Sequence, residues 1–316
     1  MRARRLFGRA LLAGAAGGGA LAGLAAADRR RWRPPAPRGF VREVDGARLH
    51  YLDEGSGPAL VLVHGFAGST FSWRAAVPEL AKEFRVIAVD LPGFGLSDRR
   101  RGIGYGHERH AARLLALLDL LGIERAAFAG HSMGGAVVQR LAARAPERAE
   151  RLLLVGSVSA GEDLDIRRRR RASRAVFGLI GLAATSPTVM YALGRRGLRQ
   201  MVADPAFVTD EVVRGYIDPL LIPGTVRAVG EMAREHEQEP LVDLAGVAAP
   251  ALVVTGAQDV VVPPARAEAL AASLPGAQDA VVIERAGHLL AEERPDAFLR
   301  AVLPFLRAGA GAQPRR

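Results

Sequence analysis

Three polar residues each follow a short apolar run: Ser132, Asp259 and His288. Ser132 sits in Gly130-His131-Ser132-Met133-Gly134, after Ala126–Ala129 and before a helix-like pattern with Val137, Val138 and Leu141 inward and Arg140 and Arg144 outward. Strand, sharp turn and helix is the setting that gives a G-x-S-x-G match its meaning. The turn strains the serine, the glycines at 130 and 134 admit close neighbours, and the hydroxyl projects above the sheet. The Met133 N–H, at the helix start, can face a developing oxyanion. A serine hydroxyl is protonated at neutral pH, so it attacks a carbonyl only when a base takes its proton and an acid orients that base. Asp259 follows the run Val253–Gly256, and His288 follows Val281–Glu284. In open parallel sheets such loops share one rim, where ligands bind, and the order Ser, Asp, His suits a serine on a strand–turn–helix. Asp279 is the rival acid, but it precedes a strand and so belongs to the opposite rim.

The elements that must position these residues can be read in order. Phe40–Val44 and Arg48–Leu52 alternate as half-buried strands around Asp45-Gly46, a hairpin signal. Ala59–Val63, Val86–Val89 and residues 152–155 are continuous apolar runs, expected of strands covered on both faces. Trp73–Phe84, His107–Leu121 (stopped by Gly122), Ala265–Leu274 and Pro295–Leu306 read as helices, and Ala280–Ile283 as a strand. This alternation predicts an α/β protein with a mostly parallel, doubly wound sheet. Its core is expected at residues 39–156 and 241–307, with 308–316 a disordered tail. Residues 157–240 break the rhythm. Pro187, Pro205, Pro219 and Pro223 punctuate helical pieces with no buried strand, which predicts a helical cap packed over the sheet edge. Its run Arg167–Arg171 is a solvated face or a contact with acidic lipid.

The formal charge of +10 is unevenly placed. Residues 1–38 carry nine arginines (2, 4, 5, 9, 29, 30, 31, 33 and 38) against Asp28, a net of 9 − 1 = +8, which leaves 10 − 8 = +2 for the rest. A nucleic-acid-binding domain is therefore disfavoured. The heavy use of arginine over lysine reads as genomic base composition. Without cysteine there is no disulfide and no thiolate metal site. No cofactor or metal is expected. Arg2, Arg4, Arg5 and Arg9, the eighteen uncharged residues Ala10–Ala27 and the small residues Ala25–Ala27 resemble an export signal, and Arg4-Arg5 suggests the twin-arginine kind. An uncleaved anchor is the close alternative, since the stretch approaches the ~20 residues of a spanning helix. A cytoplasmic protein translated from a later start is the third.

Taken together, His64-Gly65-Phe66, Asp90–Ser97, Gly130–Gly135, Gly256–Asp259 and Gly287-His288 resemble an α/β-hydrolase of the lidded subfamily. That subfamily includes esterases, cofactor-free haloperoxidase-like proteins and carbon–carbon bond hydrolases. The resemblance spans about residues 40–307, and residues 160–240 match only in position and helical character. It implies that Ser132 attacks a carbonyl, His288 takes its proton and Asp259 holds the imidazole. The oxyanion hole would be the backbone N–H groups of Phe66 and Met133, worth ~3–4 kcal/mol each in the transition state. Water activated by His288 would then release the acyl group. Relatives with an aspartate at the turn, epoxide hydrolases and haloalkane dehalogenases, do not match Ser132.

The function expected is a serine hydrolase cleaving a carboxylic ester or related small acyl substrate through an acyl-enzyme. A carbon–carbon bond hydrolase or a perhydrolase would use the same three residues. A non-catalytic relative binding a hydrophobic ligand can retain them too. Oligomeric state is not readable. Among the other polar residues, His131 is expected to be structural and His64 to brace the oxyanion loop. Asp90 and Asp98 are expected to bond local turns, and His107, His110 and His236 to be surface or packing residues. Asp243 is placed for a cap contact. Trp73 and Val260–Val262 are pocket walls or plain core.

Overall fold

Eight strands form one sheet in the computed structural model, which describes residues 27–161 and 186–308. The runs Arg167–Arg171 and Val176–Leu182, residues 1–26 and the tail from 309 lie outside the described residues. In chain order the strands are β1 (Phe40–Val44), β2 (Ala47–Glu54), β3 (Ala59–Val63), β4 (Arg85–Val89), β5 (Ala126–His131), β6 (Ala149–Val155), β7 (Ala251–Gly256) and β8 (Val281–Ile283). Their order across the sheet is β1-β2-β4-β3-β5-β6-β7-β8. Strands β3 to β8 are parallel, and β1 and β2 form an antiparallel edge. From β3 the chain runs outward to β4 and later returns to the other side of β3 as β5. The crevice beyond the carboxyl ends of β3 and β5 is therefore a topological switch point, the usual ligand site of such sheets.

Every residue of β3 and β7 is buried, so both faces need helices. The helices are α1 (Val77–Leu80), α2 (His107–Leu120), α3 (Met133–Arg144), α4 (Pro187–Met201), α5 (Asp210–Leu220), α6 (Thr225–His236), α7 (Pro264–Ala272), α8 (Leu290–Glu293) and α9 (Pro295–Arg307). One core layer joins Phe128, Leu114, Leu118, Val137, Leu141 and Leu270 under α2, α3 and α7. The other joins Leu60, Leu62, Trp73, Leu80, Phe298 and Phe305 under α1 and α9. The hairpin turn is where it was expected, with Asp45 at φ 46° and Gly46 at φ 71°, the left-handed pair that a two-residue turn requires.

The helix expected over Trp73–Phe84 is instead a 3-10 turn at Thr70–Trp73 followed by the four-residue α1. Ser69 accepts the Phe71 N–H and starts a turn early, and Pro78 disfavours a continuous helix through the residue before it. Strand β8 begins at Val281, so Ala280 lies just outside it.

Helices α4–α6 lie between β6 and β7. Ser186 and Thr209 cap α4 and α5 by accepting the N–H groups of Val189 and Val212. Met190, Leu198, Val212, Val213 and Ile217 form the shared core of α4 and α5, which Leu289 enters from the sheet's rim, whereas Ala228, Val229 and Met232 of α6 join the layer under α2 and α3.

Residues 27–38, grouped by sequence with the leader-like segment, lie against this fold. Asp28 accepts the Ser186 hydroxyl at 2.7 Å and the Thr188 N–H at 2.9 Å. The Trp32 indole N–H donates to Asp218 at 3.0 Å. These partners stand on α5 and at the start of α4, more than 150 positions away, so no local pattern announces them. Among the described residues no helix is long and apolar enough to cross a membrane.

Candidate active site

Ser132 occupies the turn between β5 and α3 with φ 51° and ψ −117°, a conformation that costs about 1–3 kcal/mol for a residue with a Cβ. Its surroundings enforce it. The Ser132 N–H donates to the Val155 carbonyl at 3.0 Å, and its own carbonyl accepts the N–H groups of Gly135 (3.0 Å) and Val158 (3.3 Å). A Cβ at Gly130 would stand 2.5 Å from the Gly134 oxygen, and one at Gly134 would stand 2.4 Å from the Val63 oxygen. Both glycines are thus required by close approach, as the sequence implied. Gln139, fully buried on α3, holds the next loop by accepting the Ala160 N–H at 2.9 Å and donating to the Val158 carbonyl at 3.0 Å.

Asp259 and His288 meet across the loops after β7 and β8. One carboxylate oxygen, Oδ1, accepts the N–H groups of Val261 and Val262, both at 2.8 Å. The other, Oδ2, stands 2.8 Å from His288 Nδ1. The pair is buried, with Asp259 3% and His288 2% exposed. Gly156, at the end of β6, lies directly beneath it: a Cβ there would be 3.2 Å from both Asp259 Oδ2 and His288 Nδ1. Because Val155 and Val158 flank Gly156 and bond Ser132, the three sequence-predicted residues surround one strand end.

The histidine loop is held at its backbone. The His288 N–H donates to the Met201 carbonyl at the end of α4, at 2.6 Å. Glu293 accepts the Gly287 N–H with one oxygen and the Ala203 N–H with the other, each at 2.6 Å. The His131 ring lies 4.7 Å from the His288 ring, and its Nε2–H donates to the His288 carbonyl at 2.9 Å. Burial, helped by the charge of His288, holds His131 down to about 3. His131 is therefore a neutral bracket beneath the histidine loop.

Gly65, in the loop after β3, packs on the serine: a Cβ there would be 2.9 Å from Ser132 Cβ. This brings the start of the loop after β3 beside Ser132. His64 braces that loop. Its Nδ1–H donates to the Gly65 carbonyl at 2.7 Å, and its Nε2 accepts the Leu91 N–H at 3.0 Å. An N–H donor at Nε2 requires the neutral ring, and burial lowers the His64 pKa in agreement. Asp90 anchors the next loop by accepting from Thr70 (2.6 Å), Leu96 (2.8 Å) and the His50 ring (2.7 Å). Burial would raise its pKa, but the bond and charge of His50 bring it below the ordinary carboxylate value. The Phe66 ring, nearly half exposed, packs edge-on against Phe94 at 5.6 Å.

Other candidates resolve as structural. Trp73 is core, 1% exposed against Phe298. Val260 and Val261 are exposed and Val262 is core. Asp243 caps its own turn through Ala245, and Asp98 bonds the N–H groups of Arg48 and Arg100. Asp279 is exposed ahead of β8. His110 is buried in a packing position, whereas the buried His107 faces the His236 ring at 4.2 Å.

The structure adds a group that sequence reasoning missed. Glu292, 7% exposed, accepts from the Tyr216 hydroxyl on α5 and from the Arg74 guanidinium. Burial pushes its carboxyl up to about 7, against the pull of Arg74 and Tyr216. Nothing in a local pattern pairs residues 76 positions apart. A groove of about 730 Å³ lies between residues 35–40, β2 and α5, lined by Arg38, His50, Phe71, Arg74 and Asp218. Ser132, Asp259 and His288 do not line it, and both ring nitrogens of His50 are already engaged, by Asp90 and the Arg38 carbonyl. The groove is therefore separate from the strand-end cluster.

Residues 58–295 match the alpha/beta hydrolase fold family. The chain is 34% identical over 283 residues to a dihydrolipoyllysine-residue acetyltransferase component of an acetoin cleaving system from Pseudomonas putida, covering 86% of this chain and 70% of that protein. It is 30% identical over 273 residues to a 2-hydroxy-6-oxo-2,4-heptadienoate hydrolase from Pseudomonas putida, covering 83% and 94%. A thermophilic esterase from Thermogutta terrifontis superimposes with a TM-score of 0.72 at 27% identity, covering 86% of this chain and 99% of that one. With its sheet order, its strained serine turn and this match over most of its length, the chain belongs to the alpha/beta hydrolase fold family.

Proposed function

We propose that this protein is a serine hydrolase that cleaves a carboxylic ester or a related acyl substrate through an acyl-enzyme. The observation that carries the reading is the Asp259–His288 contact at 2.8 Å, made by a carboxylate whose other oxygen is fixed by two backbone N–H groups. Asp259 then keeps the proton on Nδ1, so that Nε2 of His288 is the free base for the Ser132 hydroxyl. Ser132 Oγ attacks the carbonyl carbon, its proton passes to His288, and the oxyanion takes the N–H groups of Phe66 and Met133. The leaving alcohol takes the proton from His288. Water, deprotonated by the same nitrogen, releases the acid. Helices α4–α6 serve as the cap of this site, and Leu289, beside His288, joins the core of α4 and α5.

A second reading, carbon–carbon bond hydrolysis with the same residues, is favoured by the similarity to the heptadienoate hydrolase over 83% of the chain. A fluorophosphonate probe should label the folded wild-type protein and leave Ser132→Ala unlabelled; absence of wild-type labelling would sink the serine mechanism. A p-nitrophenyl ester series run beside a 2-hydroxy-6-oxo-dienoate would separate the two readings. Faster turnover of the dienoate than of every ester selects the second. We also propose that residues 1–26 direct export or anchoring. A reporter joined after residue 38 should leave the cytoplasm, and Arg4-Arg5→Lys-Lys should stop it if the twin-arginine route is used.

A further inference from the structure

We infer that His107, His236 and Glu239 form a binding site for a divalent transition cation of the zinc type, where the end of α6 meets the start of α2. His107 is the first residue of α2 and His236 the last of α6, with Glu239 three residues further along the returning chain. Each offers a ligand atom within 4.8 Å of the other two, and among the described residues this is the one group of three so placed. His236 Nδ1 and Glu239 Oε2 are 3.1 Å apart. Two ligands of a tetrahedral cation with bonds of about 2.05 Å are separated by roughly 3.3 Å, so this pair already has the spacing.

The third donor comes from the core side. His107 is 6% exposed, and its buried Nδ1 has no hydrogen-bond partner, a rare condition in folded proteins. Its ring centroid is 4.2 Å from that of His236. Rotation of the part-exposed His236 ring and of the Glu239 carboxylate would complete the convergence. The carboxylate is already aimed, because Glu239 Oε1 accepts the Glu108 N–H at 2.7 Å and leaves Oε2 facing the histidine. Hydrogen bonds of this kind are what orient metal ligands.

Two imidazoles and one carboxylate, with a fourth position open to water, suit zinc, cobalt or nickel. Calcium and magnesium need more oxygens than the site offers. One charge opposes a cation. The Arg140 guanidinium lies 4.0 Å from Glu239 Oε2 and 3.9 Å from Glu108 Oε2, and Glu108 is also bonded by Arg144 at 2.7 Å. The site should therefore bind more weakly than a closed four-ligand site. A cation held there would join the last helix of the insertion to the core, apart from Ser132.

The test uses untagged full-length protein stripped of metal by a chelator. Zn²⁺ is titrated against a chromophoric competitor, Co²⁺ is followed by its visible absorption, and Tm is read with and without Zn²⁺. One equivalent should bind, Tm should rise, and Co²⁺ should show tetrahedral absorption, while Mg²⁺ and Ca²⁺ leave Tm unchanged. His236→Gln and Glu239→Gln should each weaken Zn²⁺ at least about ten-fold, and Ser132→Ala should bind as the wild type does. Equal Zn²⁺ affinity in wild type, His236→Gln and Glu239→Gln, or no binding to wild type, overturns the proposal. Glu239→Gln keeps an acceptor for the Glu108 N–H, so it carries the test alone if His236→Gln fails to fold.

Discussion

Asp259 and Glu292 are two buried carboxyls a few residues from His288 in space or sequence, and their environments set them apart. Asp259 has three hydrogen-bond donors on two oxygens. Asp259→Asn would keep the shape but offer its amide to Nδ1 and reverse the imidazole tautomer. The expected outcome is a fall in kcat on the order of 10⁴-fold at pH 7 with little change in KM. A loss under ten-fold would show that His288 does not depend on Asp259. At Glu292 burial raises the pKa to about 7 from an ordinary 4.5. The fold therefore holds a proton that the unfolded chain releases, and stability falls as pH rises from about 4.5 to about 7 and levels off above. The loss is on the order of 3 kcal/mol. Glu292→Gln imitates the protonated form, so urea unfolding at pH 5 and pH 8 should show a smaller difference for it than for wild type. An unchanged difference would assign the slope elsewhere.

At the scale of elements, what positions His288 is a loop tied to the end of α4. Glu293 spans the gap by accepting Gly287 and Ala203 N–H groups. Glu293→Gln can satisfy only one of those donors through its remaining carbonyl oxygen. We expect kcat to fall by about 10²-fold, the cost of a displacement near 1 Å, while Ser132 still reacts slowly with the fluorophosphonate. Wild-type kcat in this variant would show that the tether is dispensable. This tether also marks how far the sequence could be read. Ser132, Asp259 and His288 were legible because each follows an apolar run such as Val253–Gly256, and parallel strands send all such loops to one rim. The strands were legible for the same reason, since runs like Ala59–Val63 have no residue to turn toward water. Trp73–Phe84 has helical spacing yet folds otherwise, because Ser69 and Pro78 impose short turns that hydrophobic spacing does not record. Glu293, Tyr216 and Arg74 were not legible as neighbours of the site. Their partners are set by how α4 and α5 settle on the rim, a packing outcome and not a local pattern.

For the whole molecule, residues 27–38 act as part of the fold despite their leader-like composition. Deleting residues 1–26 should leave Tm unchanged. Deleting 1–38 removes Asp28 from the start of α4 and Trp32 from Asp218, and should lower Tm by several degrees, the effect of about 1–2 kcal/mol in a domain of this size. Equal Tm values for the two truncations would show that the contacts carry no stability.

The same contact has a bearing on maturation. Asp28 immediately follows Ala25-Ala26-Ala27, the stretch suited to a processing peptidase. Cleavage there would make Asp28 the new first residue, with its α-amino group beside the carboxylate that caps α4. A leader left in place would instead enter the fold at the residue whose carboxylate holds the start of α4.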